Sequence, residues 1–183
     1  TAKTMISGAM ARFYGINPNT DYNNCKMVMY VGTNPMVSHA HNTGMYQPGM
    51  FLKAINKRGG EVWVIDPVRT ETCNYAAGHI AAFPGKDYAV LAWIVREILV
   101  DCSFAPVQAV HHREELAALL ADYTLDIASD VSGVPAQQIE ALLEAIRRQR
   151  IVCIETGTGT GMSPGGNLTN WFAWLIMVQI GRA

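Results

Sequence analysis

Hydrophobic residues along the chain gather in four short runs that are separated by amphipathic segments. The runs are 26–31 (KMVMYV), 61–65 (EVWVI), 79–83 (HIAAF) and 151–155 (IVCIE), and each is followed by Gly, Pro or a Gly/Thr stretch. Runs of this length that end at turn residues are typical of strands buried on both faces of a parallel sheet. The pattern therefore predicts four buried strands.

Between the runs, apolar residues recur at helical spacing. The predicted helical segments are one that carries Met45, Phe51, Leu52 and Ile55, a short piece at 70–77, then 88–100, 113–121, 135–148 and an apolar helix from Asn167. Strands that alternate with helices form βαβ units, whose parallel strands are covered by the connecting helices. The expected fold is α/β, a three-layer αβα arrangement with a mainly parallel sheet and helices on both faces.

Length and charge narrow the classes of protein. The 183 residues suit one domain, 1–183, and no linker or repeat interrupts them. With 14 basic and 15 acidic residues and no basic cluster, a nucleic-acid partner is not expected. The apolar stretch 171–180 is far shorter than the ~20 residues that span a bilayer, so no membrane span is expected. The first residues lack a signal-peptide layout and an initiator Met, which favours a piece of a longer protein.

Cysteine and histidine spacing gives no metal site. The four cysteines, at 25, 73, 102 and 153, form no CxxC pair, so we interpret them as small buried hydrophobic residues and expect no iron–sulfur cluster in this stretch. His39 and His41 have no third ligand nearby, and His111 and His112 fit a solvated helix start.

The loops that follow the strands carry the candidate chemistry, because ligands of open parallel sheets bind at the carboxyl ends of the strands. Gly32-Thr33-Asn34-Pro35 offers close backbone approach and hydrogen bonds to a phosphate, or is a plain turn. Asp66 is suited to a ribose hydroxyl, with Arg69 and Thr70 suited to phosphate, although Asp-Pro is also a common turn.

Two further loops also have both a ligand-binding and a purely structural interpretation. Asp87, after Pro84-Gly85-Lys86, either caps the next helix or accepts hydrogen bonds from the paired N–H groups of a guanine edge. In 155–161 (ETGTGTG) the alternate glycines leave the backbone bare, so that a flat or anionic group can approach. The segment lacks the GxxxxGK[ST] signature of a P-loop, and no glycine fingerprint of an NAD domain follows the first strand.

Three stretches taken together resemble one family. Residues 32–35 with His39 resemble the G-[ST]-N-P…H stretch of the molybdopterin oxidoreductases, the group of dimethyl sulfoxide reductases, formate dehydrogenases and dissimilatory nitrate reductases. Residues 57–72 (KRGGEVWVIDPVRTET) are similar to the family's KRGGKVVVIDPRRTET run, and 84–87 (PGKD) to its PG[TS]D. Residues 124–145 and 154–182 resemble its later helical stretch and glycine loop, so the likeness spans nearly the whole chain.

The resemblance implies a Rossmann-like domain that binds the guanosine and phosphate part of a bis(molybdopterin guanine dinucleotide) cofactor with molybdenum or tungsten. It implies the cofactor-binding residues Gly32, Thr33, Asn34, His39, Asp66, Arg69, Thr70, Gly85, Asp87, Gly157 and Gly159, and assigns no catalytic residue or metal ligand here. The implied partners are the remaining domains of the same chain and electron-transfer subunits. An iron–sulfur cluster is implied only outside this stretch, and the compartment stays open between the cytoplasm and periplasm of a prokaryote.

The sequence departs from the family pattern at several positions, which leaves alternatives to the function that the resemblance implies. Val68 replaces a basic residue, so Arg69 alone would meet phosphate, and Lys86 replaces Thr or Ser. The family's metal ligand would fall near Thr1-Ala2-Lys3, which offers no convincing ligand. The alternatives are a non-catalytic homologue that serves as a structural subunit of a respiratory complex, and an NAD-binding α/β module. Retention of Asn34, Asp66 and Asp87 argues against the first, and the missing glycine fingerprint against the second.

Overall fold

A parallel sheet lies at the centre of the computed structural model, which describes residues 20–39, 45–104 and 112–180. Within these ranges the strands are β1 (Met27–Val31), β2 (Glu61–Ile65), β3 (Gly78–Ile80) and β4 (Val152–Thr156). They form one sheet in the order β3-β2-β1-β4, and every neighbouring pair is parallel. All five side chains of β1 are buried, as a central strand covered on both faces requires.

Helices connect and cover the strands. They are α1 (Pro35–Ser38), α2 (Pro48–Lys57), α3 (Asp87–Val100), α4 (Arg113–Leu120), α5 (Leu125–Ser132), α6 (Ala136–Gln149), α7 (Thr158–Gly161) and α8 (Gly166–Gln179), with 3-10 turns at Glu71–Tyr75 and Cys102–Phe104. Local chemistry sets several ends. Pro48 begins α2, the Thr124 side chain caps α5 by accepting from the Ile127 N–H, and Gly133 ends α5 with φ +72°.

Two hydrophobic cores lie on opposite faces of the sheet. Met27, Met29 and Val31 of β1 pack with α3, α6 and α8, whereas Val28 and Tyr30 pack with α2. This is the period-two alternation of a strand, and it requires apolar cover on both sides. The expected three-layer αβα fold with a parallel sheet is confirmed.

The register brings the carboxyl ends of the strands level. Val31 lies beside Ile65 on one side and beside Thr156 on the other. Ile65 in turn lies beside Ile80 of β3. Because β2 and β3 extend to one side of β1 and β4 lies on its other side, the switch in strand order falls between β1 and β4, where α/β sheets bind ligands.

Five sequence predictions need correction. The helix expected to carry Met45 begins only at Pro48, since proline is favoured at the first helical position. The third strand, predicted at 79–83, is Gly78–Ile80, because the Phe83 N–H turns away from the sheet and donates to the Ser132 carbonyl at 2.8 Å. The fourth is shifted by one residue. The predicted glycine loop contains the short helix α7, and α5 had no helical prediction of its own from spacing. No helix among the described residues is long and apolar enough to cross a membrane.

Candidate functional site

The loops after β1 and β4 interlock at the carboxyl edge of the sheet. The backbone N–H of Gly157 donates to the Val31 carbonyl at 2.9 Å, and that of Gly159 donates to the Gly32 carbonyl at 3.1 Å. The buried Thr160 hydroxyl also donates to the Val31 carbonyl, at 2.9 Å. The two loops therefore form one continuous surface at the switch point.

The packing of these two loops against each other requires glycine at two positions. Gly32 has φ +58°, and a Cβ there would lie 2.6 Å from the Thr160 backbone nitrogen. A Cβ on Gly157 would lie 2.2 Å from the Thr33 Cβ, closer than real atoms approach. Bare backbone thus serves loop packing here, and contact of Gly157 and the exposed Gly159 with a cofactor stays a prediction.

Asn34 joins the β1 loop to the turn after β2. Its Nδ2 donates to Glu71 Oε2 at 2.6 Å, and its Oδ1 accepts from the Thr72 hydroxyl at 2.6 Å. Thr72 is fully buried, and its hydroxyl also accepts the Met36 N–H at 3.4 Å. The backbone N–H of Glu71 and the side-chain amide of Asn34 both hold the pKa of the Glu71 carboxyl below its usual value. Each amide atom of Asn34 thus keeps one further hydrogen bond to offer, and contact of Asn34 with a phosphate stays a prediction.

Sequence reasoning missed Glu71 and Thr72 as parts of the site. The one feature of the sequence that could have identified them is their position directly after Thr70 in the 57–72 run. Their partner Asn34 lies 37 and 38 residues away along the chain, which no local pattern indicates.

The loop after β2 presents Asp66, Arg69 and Thr70. The half-buried Asp66 carboxylate accepts the Val68 N–H at 2.9 Å, and the Asp66 carbonyl is 2.9 Å from His79 Nε2. Arg69 is exposed and has no hydrogen bond or ion pair with the described part of the chain. The Thr70 hydroxyl is 3.9 Å from the Cys73 sulfur. Asp66 thus has the turn role expected of Asp-Pro, and its second carboxylate oxygen is not used by that turn.

Asp87 is a buried carboxylate at the same edge. Its residue is 5% exposed, and it is the first residue of α3. Lys86 occupies the N-cap position and no side chain caps the helix, so the capping interpretation of Asp87 is wrong. Burial raises the pKa of Asp87 to about 6, a hydrogen bond from its own backbone N–H opposes this, and the negative charge of Asp66 adds to it.

A third loop joins the edge through Gly85. This residue has φ +75°, and a Cβ on it would lie 3.2 Å from the Ser163 Cβ. A Cβ on Gly165 would lie 2.7 Å from the Gly85 carbonyl oxygen. The loop before α3 therefore packs on the segment between α7 and α8, beside the interlocked β1 and β4 loops.

His39 is separate from these contacts. It ends α1 with φ 54°, its backbone N–H donates to the Pro35 carbonyl at 2.9 Å, and its side chain is exposed. Its neighbour His41, like His111 and residues 1–3, lies outside the described residues. In the ranges that the structure describes, no group of three or more His, Cys, Asp or Glu side chains is placed to hold a metal ion.

Several proteins of known name are similar to this chain in sequence or fold. The chain is 28% identical over 141 residues to the dimethyl sulfoxide/trimethylamine N-oxide reductase of Rhodobacter capsulatus, covering 72% of this chain and 17% of the relative. It is 30% identical over 148 residues to a nitrate reductase of Klebsiella oxytoca, covering 80% and 16%. The fold matches the acetylene hydratase of Pelobacter acetylenicus with a TM-score of 0.80 at 19% identity, over 98% of this chain and 24% of that one.

The chain is thus similar to molybdopterin oxidoreductases of several kinds. No protein-family model matches it. The resemblance read from the sequence to the molybdopterin oxidoreductases is confirmed, and so is the fold it implied. The chain spans about a sixth of the length of the two named reductases.

Proposed function

We propose that this chain is the domain that binds the guanosine and phosphate part of a bis(molybdopterin guanine dinucleotide) cofactor in a molybdenum or tungsten oxidoreductase. The observation that carries the proposal is the buried Asp87 carboxylate at the ligand-binding edge of the sheet. Its only hydrogen bond from the described residues comes from its own backbone N–H. A buried carboxylate calls for further donors, which a ligand can supply.

A guanine edge suits that need. It presents two adjacent N–H donors, and a carboxylate has two acceptor oxygens that can take both at once. Adenine presents an acceptor beside a donor, so one of its positions would repel a carboxylate oxygen. Binding of guanine would also favour the ionised form of Asp87, opposing the effect of burial on its pKa.

The remaining loops suit the rest of a nucleotide. The unused oxygen of Asp66 would accept a ribose hydroxyl, as carboxylates at this place in such sheets do. Exposed Arg69 would meet phosphate, together with the backbone N–H of Thr33 in the interlocked loops, since the Gly32 N–H already donates to the Ile65 carbonyl. In this proposal Asn34, Glu71 and Thr72 position the β1 loop, and Gly85, Gly157 and Gly159 let the loops close around the ligand.

The bound cofactor would supply oxygen-atom transfer or two-electron oxidation, and this chain would supply position and electrostatics. Further parts of the same protein would hold the other half of the cofactor, and electron-transfer subunits would be its partners. The substrate and the choice between molybdenum and tungsten belong to those other parts.

The test is Asp87→Asn in the intact protein that carries this chain. The amide would place an N–H₂ donor against a guanine donor, which costs on the order of 1–3 kcal/mol in a buried site. Affinity for the guanine dinucleotide should fall roughly ten- to a hundred-fold. The measurements are molybdenum or tungsten and released GMP per mole of purified protein.

Asp126→Asn is the matched control, because Asp126 is also an acidic residue in the first turn of a helix but is exposed and far along the chain. It should leave both contents unchanged. Full loading of the Asp87→Asn protein would contradict the guanine role. Absence of both metal and GMP from the unmodified protein would favour the non-catalytic structural homologue.

A further inference from the structure

Two cysteines meet at the opposite end of the sheet from the proposed cofactor site. Cys25 closes a turn in which its N–H donates to the Asp21 carbonyl at 3.0 Å, just before β1 begins. Cys153 is the second residue of β4, beside Val28. The backbone N–H groups of Lys26 and Met27 both donate to the Ile151 carbonyl, at 2.9 and 3.0 Å, which holds the turn against the start of β4.

The two side chains pack in the same hydrophobic cluster, and both thiols are free. Each thiol also shifts the pKa of the other. Cys25 is 1% exposed and Cys153 is half-buried, so the pair borders the described surface on the Cys153 side.

Arg58 adds positive charge to this pair. Its Nη2 donates to the Cys25 carbonyl at 2.8 Å and lies 3.9 Å from the Cys25 sulfur. The hydrogen bond from Cys153, together with the Arg58 charge, lowers the pKa of Cys25, and the same hydrogen bond raises the pKa of Cys153. A thiol that ionises more readily is the more reactive nucleophile at neutral pH.

We propose that Cys25 and Cys153 are a redox pair that hydrogen peroxide converts to a disulfide. Cys25 thiolate attacks one peroxide oxygen, the S–O bond forms, the O–O bond breaks, and the departing hydroxide takes up a proton to become water. The Cys153 sulfur then attacks the Cys25 sulfenic acid, so that the S–S bond forms, the S–O bond breaks and a second water leaves. Two thiols are oxidised, and one peroxide is reduced to two waters.

The shared packing favours this product over further oxidation. Because the two side chains lie in one cluster, the resolving thiol is close to the sulfenic acid as soon as it forms. The bond would join the turn at 21–25 to β4 and close a long loop, which stabilises a folded chain. Cys73 is an internal comparison, since it is buried against the Thr70 hydroxyl and no other described cysteine contacts it.

The experiment is peroxide titration of the intact protein that carries this chain, followed by alkylation and non-reducing peptide mapping. We expect a peptide pair linked through Cys25 and Cys153 at peroxide concentrations that leave Cys73 alkylated. The linked protein should melt several degrees higher than the reduced protein, and a thiol reductant should reverse the shift. These measurements need no variant.

Cys153→Ser tests the order of steps. Without its resolving partner, Cys25 should accumulate as sulfenic acid that a dimedone probe labels, while Cys73→Ser should form the linked pair as the unmodified protein does. The proposal is overturned if no linked pair forms while Cys73 is oxidised, or if Cys25 and Cys153 are alkylated fully at every peroxide concentration. Neither outcome depends on whether the chain binds a guanine dinucleotide.

Discussion

Individual side chains at the carboxyl edge differ in how much of their chemistry the protein already uses. The Asn34 amide is held at both ends by Glu71 and Thr72, and one Asp66 oxygen is held by the Val68 N–H. Asp87 is buried with little internal compensation, and burial outweighs the helix start and its own backbone N–H in setting its pKa. Of Asn34, Asp66 and Asp87, the proposed recognition of the base depends on Asp87, the most buried of the three.

Asp87 also predicts how stability depends on pH. Its folded-state pKa of about 6 exceeds the model-compound value of 3.8, so the folded state binds the proton more tightly and stability falls as pH rises through that window. Near pH 7 the ionised group costs at most about 3 kcal/mol. Asp87→Asn should therefore unfold at higher urea than the unmodified cofactor-free protein at pH 7.

At pH 4 the difference between the two proteins should largely disappear, because unmodified Asp87 is then protonated when folded. Urea unfolding followed by circular dichroism at both pH values measures this, and Asp126→Asn should show no such dependence because Asp126 is exposed. An Asp87→Asn protein that is less stable at pH 7 than at pH 4, relative to the unmodified protein, would contradict the assignment of a raised pKa.

Among the elements, the decisive contact is between two loops rather than between two helices. Gly157 and Gly159 come from the end of β4 and the start of α7, and both donate backbone hydrogen bonds to the end of β1. Their environments differ, since a Cβ on Gly157 would meet fixed backbone and Thr33 at under 3 Å, whereas on Gly159 the nearest atom would be 3.0 Å away. The two positions form a natural pair for measuring how tightly the loops interlock.

Gly157→Ala should destabilise the protein by about 3 kcal/mol or more, because the atoms it would strike cannot rotate away. Its φ of −109° suits alanine, so the loss would be steric rather than conformational. Gly159→Ala should cost roughly 1 kcal/mol or less. Chemical denaturation gives both values, and equal losses at the two positions would show that the β1 and β4 loops do not pack as described.

At the scale of the whole molecule, the side chains at the carboxyl edge are suited to binding a cofactor and not to catalysis. The edge that the structure brings together consists of carboxylates, hydroxyls, amides and backbone N–H groups, which bind and orient a cofactor but do not transfer electrons. The chain also spans about a sixth of the two named reductases. The proposed function therefore assigns activity to a larger assembly in which this chain would be one part.

The chain of residues 1–183 expressed alone should show no turnover with reduced viologen dyes and oxide substrates, or with formate and an oxidised dye. The intact protein assayed beside it, with its metal content measured, is the control. Turnover by residues 1–183 at a rate comparable to the intact protein would contradict the division of roles and would redirect attention to the histidines and cysteines.

The sequence alone determined the type and order of most elements and the places where chemistry collects. The limits of β2 and the end of α2 at Lys57 follow from local periodicity and turn residues, and the apolar helix predicted from Asn167 begins one residue earlier, at Gly166. Such elements can be predicted because one buried face gives a strand or helix a regular spacing of apolar residues. Placing candidate residues directly after strands was also a local inference, and the parallel sheet gathers those loops at one edge.

Only the tertiary structure decided how those residues meet. The place of β4 beside β1, the hold of Thr72 on Asn34, the steric need for Gly157 and the burial of Asp87 each depend on segments far apart in sequence. The contact between Cys25 and Cys153 joins residues that composition described only as hydrophobic. A local pattern records which residues are buried, but the partner against which each is buried, and hence its pKa and hydrogen bonds, is set by the packing of the whole chain.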